Sequence, residues 1–320
     1  MGSFVPALAP NPRAEHAPAP AAPTCFGQAD ACITHVFIPW CSAMPRFAAN
    51  LSFLYTELPF LERFAAAAED GFRGVEYMFP YEYPAEQLVE QLQRHKLEQV
   101  LINSPAGDWN AGERGLACIA GREAEFAASI DKAIEYAHAL KCPRIHVMAG
   151  LRPRVTESTE TGAAALDEAI ASWDDTYLKN IRVAAKKAEA AGVQLLLEPI
   201  CQHCMPRYYM DDPKLARNVI RKVRSEHLKL QLDLFHIQQI WGDLTHMIKY
   251  QMEFNRLGHV QIAGVPDRHE PDIGEVNYDW LFRVLDETGY DGWVGCEYNP
   301  VRGAVPNGTH DGLGWMRKWL

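Results

Sequence analysis

No glycine-rich phosphate turn of the GxGxxG or GxxxxGK[ST] kind follows the first convincing strand of this chain, which argues against a dinucleotide- or nucleoside-triphosphate-binding open sheet. Nor is there an apolar run of about 18 residues or more, so the pattern excludes a membrane-spanning helix. Positive charge is scarce: 31 Lys and Arg stand against 41 Asp and Glu, a formal net charge of −10. Phosphate backbones are gripped by concentrated positive surface, so no nucleic-acid partner is expected. A second CxxC is missing as well. Cys201 and Cys204 form the single such pair, which speaks against a four-cysteine zinc site. The eight cysteines are scattered, several in apolar contexts such as Cys142 and Cys296, as in a reduced cytoplasmic protein. The CxxC pair itself reads as a structural coincidence or as part of an active-site rim, rather than as a redox centre.

What is present suits a large soluble enzyme. The chain has 320 residues, 48% of them hydrophobic and 22% charged. That is enough for one α/β barrel of roughly 250 residues. Residues 1–43 stand apart. They are rich in Pro and Ala (Pro6, Pro10, Pro12, Pro18, Pro20, Pro23) and lack a basic start followed by an apolar stretch. The expectation is a poorly ordered extension ahead of a catalytic domain over 44–320, with Met44 as a conceivable alternative start.

From Phe47 onward, short apolar runs alternate with amphipathic stretches. Strands are expected at Phe47–Phe53, Gly74–Phe79, Gln99–Asn103, Arg144–Met148, Val193–Ile200, Leu228–Leu234, His259–Ala263 and Trp293–Tyr298. Helices are expected between them at Leu58–Asp70, Ala85–His95, Glu123–Leu140, Leu166–Ala191, Pro213–Arg224, Leu244–Leu257 and Tyr278–Thr288. Alternation of this kind requires crossovers and a parallel sheet. Eight strands apolar on both faces fit a single closed (β/α)8 TIM barrel better than an open sheet.

In such a barrel the carboxyl ends of all strands converge on one mouth. Glu198 ends the run LLLEPI, Asp233 lies in LQLDLFH, Gln261 in HVQIAG, and Glu297 closes WVGCEYNP. Ionised oxygens in low dielectric need a counter-charge. Three carboxylates and an amide aimed at one mouth are most economically explained by a bound divalent cation. An oxygen-rich set suits Mg²⁺ or Mn²⁺, whereas Zn²⁺ prefers His and Cys. No organic cofactor is expected. His236, three residues after Asp233, can reach the same cavity. The loop VPDRHEPDIGEVNY offers Arg268, whose planar fork suits a substrate carboxylate, and Glu270, which could orient Arg268. Asn103, Ser104 and Trp109 are weaker pocket candidates, and His146 could face either the pocket or a helix.

These residues sit in eight ordered blocks: NLSFLYTELPFLERF, GVEYMFPYEYP, NSPAGDWNAGERGLACIAGRE, RIHVMAG, LLLEPI, LDLFHIQ, HVQIAGVPDRHEPDIGEVNY and GCEYNP. In them the chain resembles the hydroxypyruvate isomerase family, within the xylose-isomerase-like barrels. The resemblance implies that Glu198, Asp233, Gln261 and Glu297 hold the metal, that Glu198 and Glu297 also move the proton, and that His236, Arg268 and Glu270 serve substrate binding. It implies interconversion of hydroxypyruvate and 2-hydroxy-3-oxopropanoate through a cis-enediolate. The rival reactions are isomerisation of a four-carbon 2-oxo acid of the 2-oxo-tetronate type and 3-epimerisation of a ketose. The partner expected is therefore a small 2-oxo acid or sugar, and association into a homo-oligomer is a further expectation from related barrels. One segment departs from the family pattern: after EPI the chain runs Cys201, Gln202, His203, Cys204, Met205, Pro206, Arg207. That change touches the rim beside Glu198 and bears on substrate preference.

Overall fold

The computed structural model describes residues 45–152, 160–302 and 307–319. The extension expected over 1–43, and Met44, lie outside the described residues. Eight strands, each hydrogen-bonded in parallel to the next and the last to the first, close a barrel. They are β1 (Arg46–Asn50), β2 (Gly74–Tyr77), β3 (Glu98–Asn103), β4 (Arg144–His146), β5 (Gln194–Leu197), β6 (Leu228–Asp233), β7 (Leu257–Ile262) and β8 (Trp293–Cys296). Closure leaves no strand edge unpaired. Around it run α1 (Arg63–Glu69), α2 (Ala85–His95), α3 (Glu123–Leu140), α4 (Glu160–Ala191), α5 (Pro213–Val223), α6 (Leu234–Ile240), α7 (Leu244–Glu253) and α8 (Tyr278–Glu287). Every expected strand is present, with three starting one or two residues earlier than expected and most ending one to three residues sooner. The short α6 was not anticipated from the sequence. Among the described residues, no helix is long and apolar enough to cross a membrane.

Side chains alternate across each strand, and the alternation sorts the chain into two layers. Residues such as Phe47, Val75, Ile145 and Val294 face the helices. Phe47 meets Phe282 of α8 and Trp315 edge-on, both at 5.3 Å between ring centres. Burying one such aromatic contributes roughly 1.5–3 kcal/mol. The opposite parity fills the barrel. At the amino ends of the strands, Ala48, Val100, Leu196 and Trp293 pack as an apolar plug. Gly74 makes room for it, since a Cβ there would lie 2.8 Å from the Trp293 ring.

Two residues further along the same inward rows, the filling turns polar. Asn50 and Glu76 are register partners on β1 and β2, and Asp233 and Gln261 on β6 and β7. Gln261 in turn stands beside Gly295 of β8. A Cβ at Gly295 would sit 2.5 Å from both Glu76 carboxylate oxygens, so the glycine gives that acid its place inside the barrel. The loops are pinned locally. Asp212 caps α5 by accepting from the Lys214 N–H at 2.7 Å, with Pro213 at the first helical position.

Candidate active site

Asp233 ends β6 and caps α6 in one step. Its Oδ1 accepts from the Phe235 N–H at 2.9 Å, which leaves Oδ2 facing the barrel mouth. The next turn of α6 carries His236, whose Nε2 lies 3.5 Å from that Oδ2 and 3.9 Å from Glu198 Oε1. Glu198 follows β5 directly, and His146 at the end of β4 places Nδ1 3.3 Å from its other oxygen. Glu297 follows β8. Its Oε2 accepts from Gln261 Nε2 at 2.5 Å and Asn50 Nδ2 at 2.9 Å, and its Oε1 from Arg268 Nη2 at 2.5 Å. The structure thus brings all four strand-end residues, His236 and Arg268 to one mouth.

Arg268 enters from the β7–α8 loop with a left-handed backbone (φ 59°), a costly conformation for a residue with a side chain. Bonds from Arg268 N–H to the Gly264 carbonyl and from Asn299 N–H to the Arg268 carbonyl hold it there. Its guanidinium lies between the rings of Phe53 and Phe235, 4.9 and 5.0 Å from their centres, and bridges Asp233 (3.3 Å) to Glu297. Glu297, Asp233 and Glu198 keep that group charged against the cost of its burial.

Glu270 does not join this group. The tight turn at Arg268 sends the two side chains apart: Glu270 is fully buried elsewhere, and its Oε1 accepts the N–H groups of Val301 (3.1 Å) and Arg302 (3.0 Å). It anchors the chain after β8 and makes no contact with Arg268 of the kind expected. Ser104 likewise serves the backbone, accepting from Met148 N–H, whereas Asn103 and Trp109 do line the cavity.

One residue that sequence reasoning passed over lies directly beneath. Glu76 accepts from Asn50 Nδ2 (3.0 Å), Gln261 Nε2 (2.7 Å) and His259 Nε2 (2.7 Å) and is inaccessible to solvent. The signal was available, an acid inside the apolar run GVEYMF. Glu76 sits one layer below the mouth, where three donors satisfy it.

Charge crowding shows in the acidities. Burial, and then the charges of Glu297 and Asp233, raise the Glu198 carboxyl well above the usual carboxylate range. Burial pushes Glu297 up to about 8 although Arg268 opposes the rise. Burial, with His236 nearby, holds His146 down at about 3, so its imidazole is neutral. A like-charged set of this kind keeps a proton at neutral pH unless a cation joins it.

The donor set fits a divalent cation. Arg268 already stands as a cation between two of the carboxylates. Gln261 presents its amide nitrogen to Glu76 and Glu297, while its oxygen accepts from Gln231 Nε2 at 2.6 Å. The Gln231 oxygen is buried without a hydrogen-bond partner. Reversing both amides keeps their mutual bond and engages that orphan oxygen, but turns the Gln261 oxygen toward both Glu76 and Glu297, an arrangement favourable with a cation or a carboxyl proton between the oxygens.

The cavity measures about 150 Å³, and its lining includes Phe53, Trp109, His146, Glu198, Arg268 and Glu297. Pockets for drug-sized ligands run about 300–1,000 Å³, so this one suits a molecule of a few carbons. A larger cavity of about 560 Å³ opens at the amino ends of the strands beside Arg144 and Trp293, away from the strand-end carboxylates. The far rim of the small cavity is made by the segment after Glu198. Cys201 Sγ lies 3.1 Å from Cys204 Sγ and 3.3 Å from His236 Nδ1.

Comparison with known proteins agrees with the geometry. The model of the xylose isomerase-like TIM barrel family matches residues 64–319. A 2-oxo-tetronate isomerase of Cupriavidus necator is 47% identical over 277 residues, 87% of this chain and 99% of the relative. A hydroxypyruvate isomerase of Escherichia coli is 43% identical over 273 residues, 85% of this chain and 98% of the relative. A crystal structure described as an AP endonuclease, family 2, from Brucella melitensis superposes with a TM-score of 0.77 at 46% identity, covering 86% of this chain and 99% of its own. With the barrel, the strand-end site and these matches in agreement, the chain belongs to the xylose isomerase-like TIM barrel family.

Proposed function

We propose that the protein is a metal-assisted isomerase of a short 2-oxo acid, interconverting hydroxypyruvate and 2-hydroxy-3-oxopropanoate. The observation that carries this reading is the pairing of Glu198 and Glu297, one carboxyl buried and one largely buried, in one small cavity with Arg268. Acid–base work requires one group that takes the proton and one that returns it. The two glutamates supply that pair.

The isomerisation moves a proton from C3 to C2 and a second from the C3 hydroxyl to the C2 oxygen. One glutamate takes the proton from C3 of hydroxypyruvate, the electron pair shifts toward the C2 carbonyl to give an enediolate, a proton passes from the C3 hydroxyl to the C2 oxygen, and a proton is returned at C2 by the other glutamate or the same one as C3 becomes the aldehyde carbonyl. Glu198, Asp233, Gln261 and Glu297 would hold a divalent cation, Mg²⁺ or Mn²⁺ by their oxygen donors, which would stabilise the negative charge on the substrate oxygens. Arg268 exchanges its bonds to Asp233 and Glu297 for the substrate carboxylate, and the Phe53 and Phe235 rings keep its plane in place. His236 Nε2, facing Asp233 and Glu198, lies where a substrate hydroxyl can reach it.

The 2-oxo-tetronate reaction is the second reading. It uses the same bonds on a substrate one carbon longer, and relatives of both names match over most of the chain. A free ketose lacks the carboxylate that Arg268 would hold. DNA strand cleavage would ask for a basic approach surface, which a net charge of −10 does not favour. Cytoplasmic location and association into a homo-oligomer belong to the same proposal.

The test is a panel of hydroxypyruvate, four-carbon 2-oxo acids and free ketoses, supplied with Mg²⁺ or Mn²⁺ and read by product identity. Turnover of 2-oxo acids is expected, with hydroxypyruvate preferred. Epimerisation of neutral ketoses alone would overturn the reading.

A further inference from the structure

The rim segment after Glu198 creates a second set of ligands. Cys201 Sγ, Cys204 Sγ and His236 Nδ1 all lie within 4.8 Å of one another. We propose that Cys201, Cys204 and His236 form a binding site for a soft divalent metal, Zn²⁺ in the first place, distinct from the oxygen-lined site on the other side of the same imidazole.

Several features carry this. The three atoms are two sulfurs and one imidazole nitrogen, the donor types that Zn²⁺ selects over carboxylates, and a Cys₂His set leaves a fourth position open. The loop is already shaped for it. The N–H groups of Cys204 and Met205 both donate to the Cys201 carbonyl at 3.1 Å, which folds the CxxC back on itself. Gln202 pins the turn, accepting from Arg207 N–H at 2.6 Å and donating to the Tyr208 carbonyl at 3.1 Å.

Cys201 is buried and Cys204 exposed, so the site has one fixed ligand and one open to arriving ions. The imidazole is split between the two centres. Nδ1 faces the sulfurs while Nε2 faces Asp233, and a ligating imidazole whose second nitrogen faces a carboxylate is the usual support of a zinc site. Binding is balanced by loss of the two thiol protons to solvent, with neutral His236 giving only its lone pair. The sulfurs move apart on binding, because two thiolates on one Zn²⁺ at about 2.3 Å each stand further apart than 3.1 Å.

The proposal does not depend on which reaction the barrel catalyses, and its test reads no activity. Full-length protein, reduced and stripped with a chelator, is titrated with Co²⁺ and followed for the near-ultraviolet thiolate-to-cobalt charge-transfer band. The expected result is a band that Zn²⁺ abolishes by displacement, that C201S/C204S lacks, and that C204S alone weakens. Zn²⁺ should also shield Cys201 and Cys204 from alkylation in the wild-type protein, read by peptide mass, a measurement that needs no variant to fold. A band of equal strength in C201S/C204S, or alkylation of Cys204 unaffected by Zn²⁺, overturns the site.

Discussion

The two halves of the cavity mouth are built from opposite chemistry. On one side Glu198, Asp233, Gln261 and Glu297 present oxygen or amide groups from four successive strands. On the other, Cys204, Met205 and Met148 present sulfur, with Cys201 just behind. The oxygen half stands on strand ends, locked by the barrel's hydrogen bonding, and its geometry is therefore dictated by the fold. The sulfur half is mostly one turn of loop, free to differ between relatives without disturbing the barrel. An oxygen half fixed by strands and a sulfur half carried by a loop is the division that this arrangement produces.

The comparison is broken most severely from the oxygen side. Glu198→Gln keeps the shape but removes the carboxylate, and isomerase turnover should fall by about 10³-fold while the variant still folds, read by circular dichroism. Near-normal turnover in this folded variant would refute the proton-transfer role. Arg268→Met should cost roughly 10²-fold in kcat/KM for 2-oxo acids, mostly through KM, since the carboxylate anchor is lost and the proton-moving pair is kept. A loss confined to kcat would instead place Arg268 at the reacting carbons.

Glu76→Ala probes the layer beneath. His259 Nε2 loses its acceptor outright, while the Asn50 and Gln261 nitrogens keep only their bonds to Glu297. At about 1–3 kcal/mol for a stranded group, a loss of that order in urea unfolding is expected, whereas Glu76→Gln should retain part of the stability. An unchanged midpoint in the alanine variant would mean that water replaces the carboxylate.

The smallest effect is in the pH dependence of metal-free protein. Folding holds His146 down at about 3, against about 6.5 in an unfolded chain. The neutral ring is favoured by the fold, so its contribution is full above about 6.5 and is lost as pH falls toward about 3. Compared with His146→Phe, the wild type should lose ground over that window. Glu198 and Glu297, with raised values, act in the opposite direction and gain for the folded state as they take up protons. A gap between the two proteins that is constant with pH would show that His146 is not held neutral.

Much of this was written openly in the chain. Apolar runs ending in Glu, Asp or Gln marked the strands and the mouth together, because a strand with both faces buried tolerates an acid only where it meets a cation, solvent or a set of hydrogen-bond donors. Arg268 was legible as a loop cation. Depth was not. Glu76 and Glu198 look alike in sequence, each an acid in an apolar run, and only barrel closure shows that Glu76 is enclosed among Asn50, His259 and Gln261 while Glu198 lines the cavity. Glu270 was misplaced for a related reason: two residues of separation say nothing about side once the backbone turns through a left-handed residue at Arg268. The Gln261 amide was unreadable too, since its orientation depends on Gln231 and Glu76, both distant in sequence.

Gly295 decides what its neighbour can be. The hydrogen it carries in place of a side chain is what permits an acid at position 76, and that acid organises the amide of Gln261 and, through Asn50, touches Glu297. The two positions are thus sterically coupled. Even a methyl group at 295 would displace the acid at 76, and with it the polar floor beneath the strand-end carboxylates.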